Sequence, residues 1–245
     1  MEQLQKISAG SYDLNRFLAG GYESDIISTI YGPGGSGKTN LCMLAAASCA
    51  KKNGKVIFID TEGGFSIERF KQLFRGDKNL VSEALQNIIL LKPTSFKEQE
   101  RNFETLLVEI RRAKISLIII DSIAMLYRLE LADAIKTKEI NEIQNVNRNL
   151  AKQLRTLNEI ARKKNIPIIM TNQVYSSFSK DSEEKSMKII NMVGGDLLKY
   201  WSKCLIELEN SLGRRKLILR KHRSLPVKTL SFEIVNEGIR KRGIF

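Results

Sequence analysis

Eight consecutive residues, Gly32-Pro33-Gly34-Gly35-Ser36-Gly37-Lys38-Thr39, fit the pattern G-x-x-x-x-G-K-[ST] without a mismatch. Residues of these types at this spacing bind the phosphates of a nucleoside triphosphate. Glycine adopts φ > 0 without strain, so consecutive backbone N–H groups can turn inward around a phosphate. The start of a following helix adds unpaired N–H donors and the positive end of its dipole. Lys38 would reach the β- and γ-phosphates, and the Thr39 hydroxyl would bind Mg²⁺. Nucleotide contacts are therefore expected from Gly32 through Thr39 and from Asn40 beside them. ATP and Mg²⁺ are the expected cofactors.

Three more polar clusters end apolar runs. Asp60-Thr61-Glu62 follows residues 56–59, Asp121-Ser122 follows 117–120, and Thr171-Asn172-Gln173 follows 168–170. Ligands of open α/β sheets sit outside the carboxyl ends of the strands, so all three clusters should face the phosphate loop. Asp121 reads as the second Mg²⁺ anchor, acting through a water; the competing reading is a helix N-cap. Hydrolysis also needs a group that orients or deprotonates the attacking water. Glu62 is the first candidate. Asp60 is the second, and it could merely close the strand. Gln173 could hydrogen-bond the γ-phosphate and report hydrolysis to the segment after it, though a plain polar strand end explains it nearly as well. Lys38, Glu62 and Gln173 form the expected catalytic set.

These groups need strands that end together and helices that cover them. Apolar runs of strand length lie near 26–31, 55–60, 88–91, 116–121 and 166–171. Helical patterns lie near 38–52, 66–74, 96–114 and 136–164. Continuously apolar strands such as Leu117-Ile118-Ile119-Ile120 suit a parallel sheet covered on both faces. Their alternation with helices gives βαβ units. After Gly194 the runs shorten, near 203–208, 216–221 and 229–234, as in an antiparallel extension of the sheet. The expected fold is α/β, with a mostly parallel central sheet flanked by helices and antiparallel C-terminal strands. The polar stretch 174–191 is long for a connection in a compact domain and is therefore functional or mobile.

The chain has 245 residues, 42% of them hydrophobic and 27% charged, ordinary for a soluble protein. Residues 1–245 read as one domain. No apolar run approaches the roughly 18 residues that span a bilayer, and the N-terminus lacks a signal-peptide pattern. Cys42, Cys49 and Cys204 show neither metal nor disulfide spacing, which suits a reducing cytoplasm. The net charge is +13. Such a balance favours a polyanionic partner, most often nucleic acid, over a lysine-rich surface kept for solubility or heat resistance. Residues 211–245 hold ten Lys/Arg against two Asp/Glu, a local +8 of that +13.

Together these motifs resemble the RecA/RadA recombinase family. Residues 59–70, Ile59-Asp60-Thr61-Glu62-Gly63-Gly64-Phe65-Ser66-Ile67-Glu68-Arg69-Phe70, look like its D-T-E-G-x-F-x-x-E-R segment. Residues 117–122 with Leu126-Tyr127-Arg128 look like its second nucleotide motif and the start of its first DNA loop. Thr171-Asn172-Gln173-Val174 looks like the T-N-Q-V that opens the second. Lys92-Pro93-Thr94-Ser95-Phe96-Lys97-Glu98-Gln99 and Arg220-Lys221-His222-Arg223 are similar to short archaeal paralogues within it. The resemblance covers nearly the whole chain and implies a RecA-like ATPase core. It matches Glu62 to the water-activating glutamate, Arg69 to an arginine packed on the adenine, Gln173 to the γ-phosphate sensor, and Tyr127 and Arg128 to the edge of the first DNA loop. It implies an accessory protein that binds ATP and DNA without sequence preference, single-stranded or branched. Such a protein hydrolyses ATP weakly and acts beside a RadA-type recombinase and a Holliday-junction resolvase. The alternative is an ATP-dependent switch or motor of the same fold acting on a protein. Full recombinases carry an N-terminal helix-hairpin-helix domain that this sequence does not show, and residues 175–192 are serine- and acid-rich, not glycine-rich. A dimer is then expected at most, not a filament, and independent strand exchange is not expected.

Lys221, His222 and Arg223 follow the apolar run 217–219. Phosphate contact with DNA ranks first for them. Second comes reach of Lys221 and Arg223 to a neighbouring subunit's γ-phosphate, which the related K-x-R fingers suggest. A solvated strand end is a close third. Nothing at ligand spacing makes His222 a metal ligand or a general base. Residues 240–242 read as a flexible basic tail.

Overall fold

The computed structural model describes residues 5–178, 188–192 and 194–243. A two-stranded ribbon, β1 (Lys6–Ile7) with β2 (Tyr22–Glu23), brackets helix α1 (Tyr12–Phe17). The chain then alternates: β3 (Ile27–Gly32), α2 (Lys38–Ala50), β4 (Lys55–Asp60), α3 (Ile67–Leu73), α4 (Lys78–Gln86), β5 (Ile88–Leu91), α5 (Phe96–Arg112), β6 (Ile115–Asp121). Helices α6 (Met125–Thr137) and α7 (Ile140–Lys164) lead to β7 (Ile168–Phe178), β8 (Lys188–Met192) and α8 (Gly195–Trp201). Four strands follow: β9 (Cys204–Ser211), β10 (Arg214–Lys221), β11 (Lys228–Val235) and β12 (Gly238–Lys241).

All but the first two strands join one ten-stranded sheet, in the order β12-β11-β10-β9-β3-β7-β6-β4-β5, with β8 paired to β7 outside that order. From β9 to β5 every neighbouring pair is parallel; from β9 outward to β12 every pair is antiparallel. This is the expected α/β architecture. The central strands are buried on both faces, which is why they read as unbroken apolar runs. Alternate residues feed two cores. Val56, Phe58, Leu117 and Ile119 pack toward α1, α2 and α4, while Ile57, Ile59, Ile118 and Ile120 pack toward α5, α6, α7 and α8.

Three expectations change. The helical pattern 136–164 belongs to two helices, since Lys138 at the end of α6 is left-handed, with φ 59°. The Thr137 hydroxyl sits at the turn, 2.8 Å from both Ala134 O and Glu142 Oε2, with one proton to give to either acceptor. Residues 240–242 are no free tail: β12 pairs with β11, and Arg240 meets Glu233 at 2.7 Å. The stretch 174–191 is not simply a loop, because β7 runs on to Phe178 and pairs antiparallel with β8; residues 179–187 lie outside the described residues. Among the described residues no helix is long and apolar enough to cross a membrane.

Candidate nucleotide site

The phosphate loop leaves the sheet where β3 ends. At Gly32 a Cβ would stand 2.4 Å from Leu208 O, so only glycine lets β9 run this close. Gly37 caps α2 with φ 108° and no side-chain bond, and the first turn of α2 carries no acid. By contrast α1, α3, α4 and α5 begin with Ser11, Ser66, Asp77 and Ser95, whose side chains accept the first amides. The amides at the start of α2 therefore stay available to an anion. Lys38 is buried and donates from Nζ to Gly32 O at 3.0 Å and Pro33 O at 2.9 Å. Burial lowers its pKa, against the raising influence of Glu62, Asp121 and Cys42.

The turn after β4 lies on this loop, and a Cβ at Gly64 would stand 3.0 Å from Thr39 Cγ2. Asp60 shapes that turn. Its Oδ1 accepts from Gly64 N and its Oδ2 from Phe65 N, both at 3.0 Å. Of the two candidate bases, Asp60 is thus consumed by the backbone, and Glu62 is exposed. Gln173 Nε2 donates to both Glu62 oxygens, at 3.1 and 3.2 Å. Strands β4 and β7 are separated by β6, so this pair spans the end of β6, where Asp121 sits.

Asp121 is fully buried. Its Oδ1 accepts from the Thr171 hydroxyl, while Oδ2 is buried without a hydrogen-bond partner. Burial raises its pKa; the Thr171 and Thr39 hydroxyls favour the ionised form, and Glu62 and Asp60 oppose it. An orphaned carboxylate oxygen beside a threonine hydroxyl fits a hard divalent cation, whose charge would offset the burial. The helix-cap alternative fails, because the N-cap of α6 is Ala124. The peptide Asp121–Ser122 is cis, and Thr61 Oγ1 brackets it, bonding Ser122 N and O at 2.8 Å.

Arg69 sits on the flank of the site. Its Nε donates to Asn40 Oδ1 at 2.7 Å, and its terminal nitrogens donate to Val235 O at 2.8 Å, Asn236 O at 3.0 Å and Gln72 Oε1 at 2.8 Å. These bonds lie along the guanidinium edge and leave its faces for stacking. They also tie α3 to the β11–β12 turn. The C-terminal strands reach the loop twice more. Asn210 Nδ2 donates to Gly35 O at 3.5 Å, and Ile234 Cδ1 lies 3.1 Å from where a Gly37 Cβ would be. No local signal in the sequence marks Asn210, Ile234 or Val235; only strand pairing across the sheet brings them here.

The expected DNA contacts divide. Arg128 and Lys221 are exposed, and Lys221 Nζ donates to Lys199 O at 2.8 Å. Tyr127 is buried in the core beneath α5–α7 and donates to Asn147 Oδ1 at 2.7 Å. The His222 side chain is 2% exposed, and its Nδ1 accepts from Ser224 N at 3.1 Å and Leu225 N at 3.2 Å. Arg223 grips Glu23 at 2.6 Å and Asp25 at 2.8 and 3.0 Å. In this structure Tyr127, His222 and Arg223 each find a partner within the chain: local for His222, and distant in sequence for Tyr127 and Arg223.

With the fold and site in place, the relatives are informative. The Rad51 family pattern matches residues 1–242. The chain is 37% identical over 243 residues to DNA repair and recombination protein RadB of Methanobrevibacter smithii, covering 97% of each. It is 44% identical over 227 residues to the RadB of Methanococcus maripaludis strain C7, covering 92% of this chain and 96% of that one. To the RadB of Methanocaldococcus jannaschii it is 40% identical over 226 residues, covering 92% and 98%.

Proposed function

Because the chain belongs to the Rad51 family and is of its RadB type, we propose that it binds ATP with Mg²⁺, binds DNA, and serves recombination and repair. It acts as one core domain and as an accessory beside a RadA-type recombinase and a Holliday-junction resolvase, and its ATP turnover is slow. The single observation that carries the ATP part is the meeting of Lys38, Glu62, Asp121 and Gln173, from four chain segments, beside the phosphate loop. The family, and the exposure of Arg128 and Lys221, support the DNA part.

Thr39 and Asp121 would hold Mg²⁺, which supplies charge neutralisation on the phosphates. The amides of residues 34–39 and the Lys38 ammonium bind and orient the β- and γ-phosphates. Glu62, held by Gln173, orients the attacking water and takes its proton as the water oxygen bonds to the γ-phosphorus and the β–γ bridge breaks. Gln173 opens the β7–β8 hairpin, so a change in its bonding is felt there. Arg69 stacks on the base.

Glu62→Gln tests the chemistry. It should keep ATP affinity within about threefold while cutting turnover by about a hundredfold or more. Unchanged turnover, read by phosphate release, would remove Glu62 from the mechanism.

A further inference from the structure

Among the described residues, Arg215 on β10 holds a buried guanidinium nitrogen without a hydrogen-bond partner. Its register partners are Asn210 on β9 and Phe232 on β11, so all three present side chains to one face of the sheet. That face carries Leu217 and Phe232 into the core beneath α2, the side on which the phosphate loop curls. Asn210 touches Gly35 O, and Ile234, two residues beyond Phe232, lies against Gly37. Arg215 thus stands between one residue that touches Gly35 and another that touches Gly37. It is half-buried, and its Nε is buried with no hydrogen-bond partner. A shielded guanidinium N–H without an acceptor is costly, and a phosphate oxygen supplies an acceptor of matching charge and geometry.

We propose that Arg215 is a nucleotide-contact residue, donating from the C-terminal strands to the phosphates of ATP held in this same chain's loop. The proposal rests on the reading of the loop as an ATP site. It differs from a finger reaching into a neighbouring subunit, because Arg215 serves its own loop. It makes the antiparallel extension part of the binding site as well as a sheet edge.

The test is equilibrium binding of Mg-ATP to the wild type, Arg215→Gln, Arg215→Lys and Arg214→Gln, with nucleotide-free melting temperatures alongside. Arg214 is exposed and alternates to the other face. Arg215→Gln should weaken ATP binding by about tenfold or more, and Arg215→Lys should lose less. Arg214→Gln should stay within about twofold. Removing an unsatisfied charge should leave the nucleotide-free melting temperature of Arg215→Gln unchanged or raise it. Wild-type affinity in Arg215→Gln would overturn the proposal, and so would an affinity loss that comes only with a lowered melting temperature. If the wild type itself fails to bind ATP, the reading of the loop falls first and this proposal with it.

Discussion

Asp60 and Glu62 stand two residues apart after one strand, yet only one is free for chemistry. In sequence both were candidates, since each is an acid at a strand end. The structure separates them because two amides of the following turn take both Asp60 oxygens. Loop closure of this kind is invisible in the linear sequence. The motif residues themselves were legible, because a phosphate loop is a local backbone device. The ion pairs of Arg223 were not, because its partners Glu23 and Asp25 lie about two hundred residues away. His222 carries a pH prediction. Burial lowers its pKa, against the raising influence of Glu23, and its Nδ1 already accepts two amides. The folded state thus resists protonation. Between the ordinary value of about 6.5 and the lower folded value, the unfolded chain binds more protons, so stability falls as pH drops below that point. Urea midpoints at pH 8 and pH 5.5 should show the loss, and His222→Asn should shrink this acid-induced difference. An equal difference in both would place the sensitivity elsewhere.

Among the elements, β4 and β5 run over 55–60 and 88–91 as the apolar runs dictated: β4 is buried and leaves no polar interruption, while β5 is a half-buried edge strand that is nonetheless wholly apolar. The α6–α7 break escaped the periodicity. A single left-handed residue turns the chain there without proline or glycine, and Lys138 gives no compositional warning. Strand contact also explains a tight constraint in the phosphate loop. Gly32→Ala would drive a methyl to within 2.4 Å of Leu208 O, forcing β9 from β3. It should cost about 1–3 kcal/mol of stability, as overpacking does, and weaken ATP binding by displacing Asn210 and its neighbours. A thermal melt at wild-type temperature would show that β9 can yield.

For the whole molecule, the charge of +13 remains the strongest sign of a polyanion, but its placement differs from the linear tally. Arg220, Arg223 and Arg240 are paired with carboxylates, so the C-terminal excess is less available than a count suggests. Arg128 and Lys221 stay exposed. Their double alanine variant should flatten the salt dependence of duplex binding by roughly 0.9 in log–log slope per lost phosphate contact. Measured by fluorescence anisotropy across a salt series, an unchanged slope would exclude both residues from the contact. Finally, the site is assembled from segments far apart in time as well as in sequence. During synthesis the phosphate loop emerges early. Asn210, Ile234 and the carbonyls that hold Arg69 leave the ribosome nearly two hundred residues later. A nascent chain therefore cannot finish its nucleotide pocket until its last strands dock, and tight ATP binding would mark the moment when folding is complete.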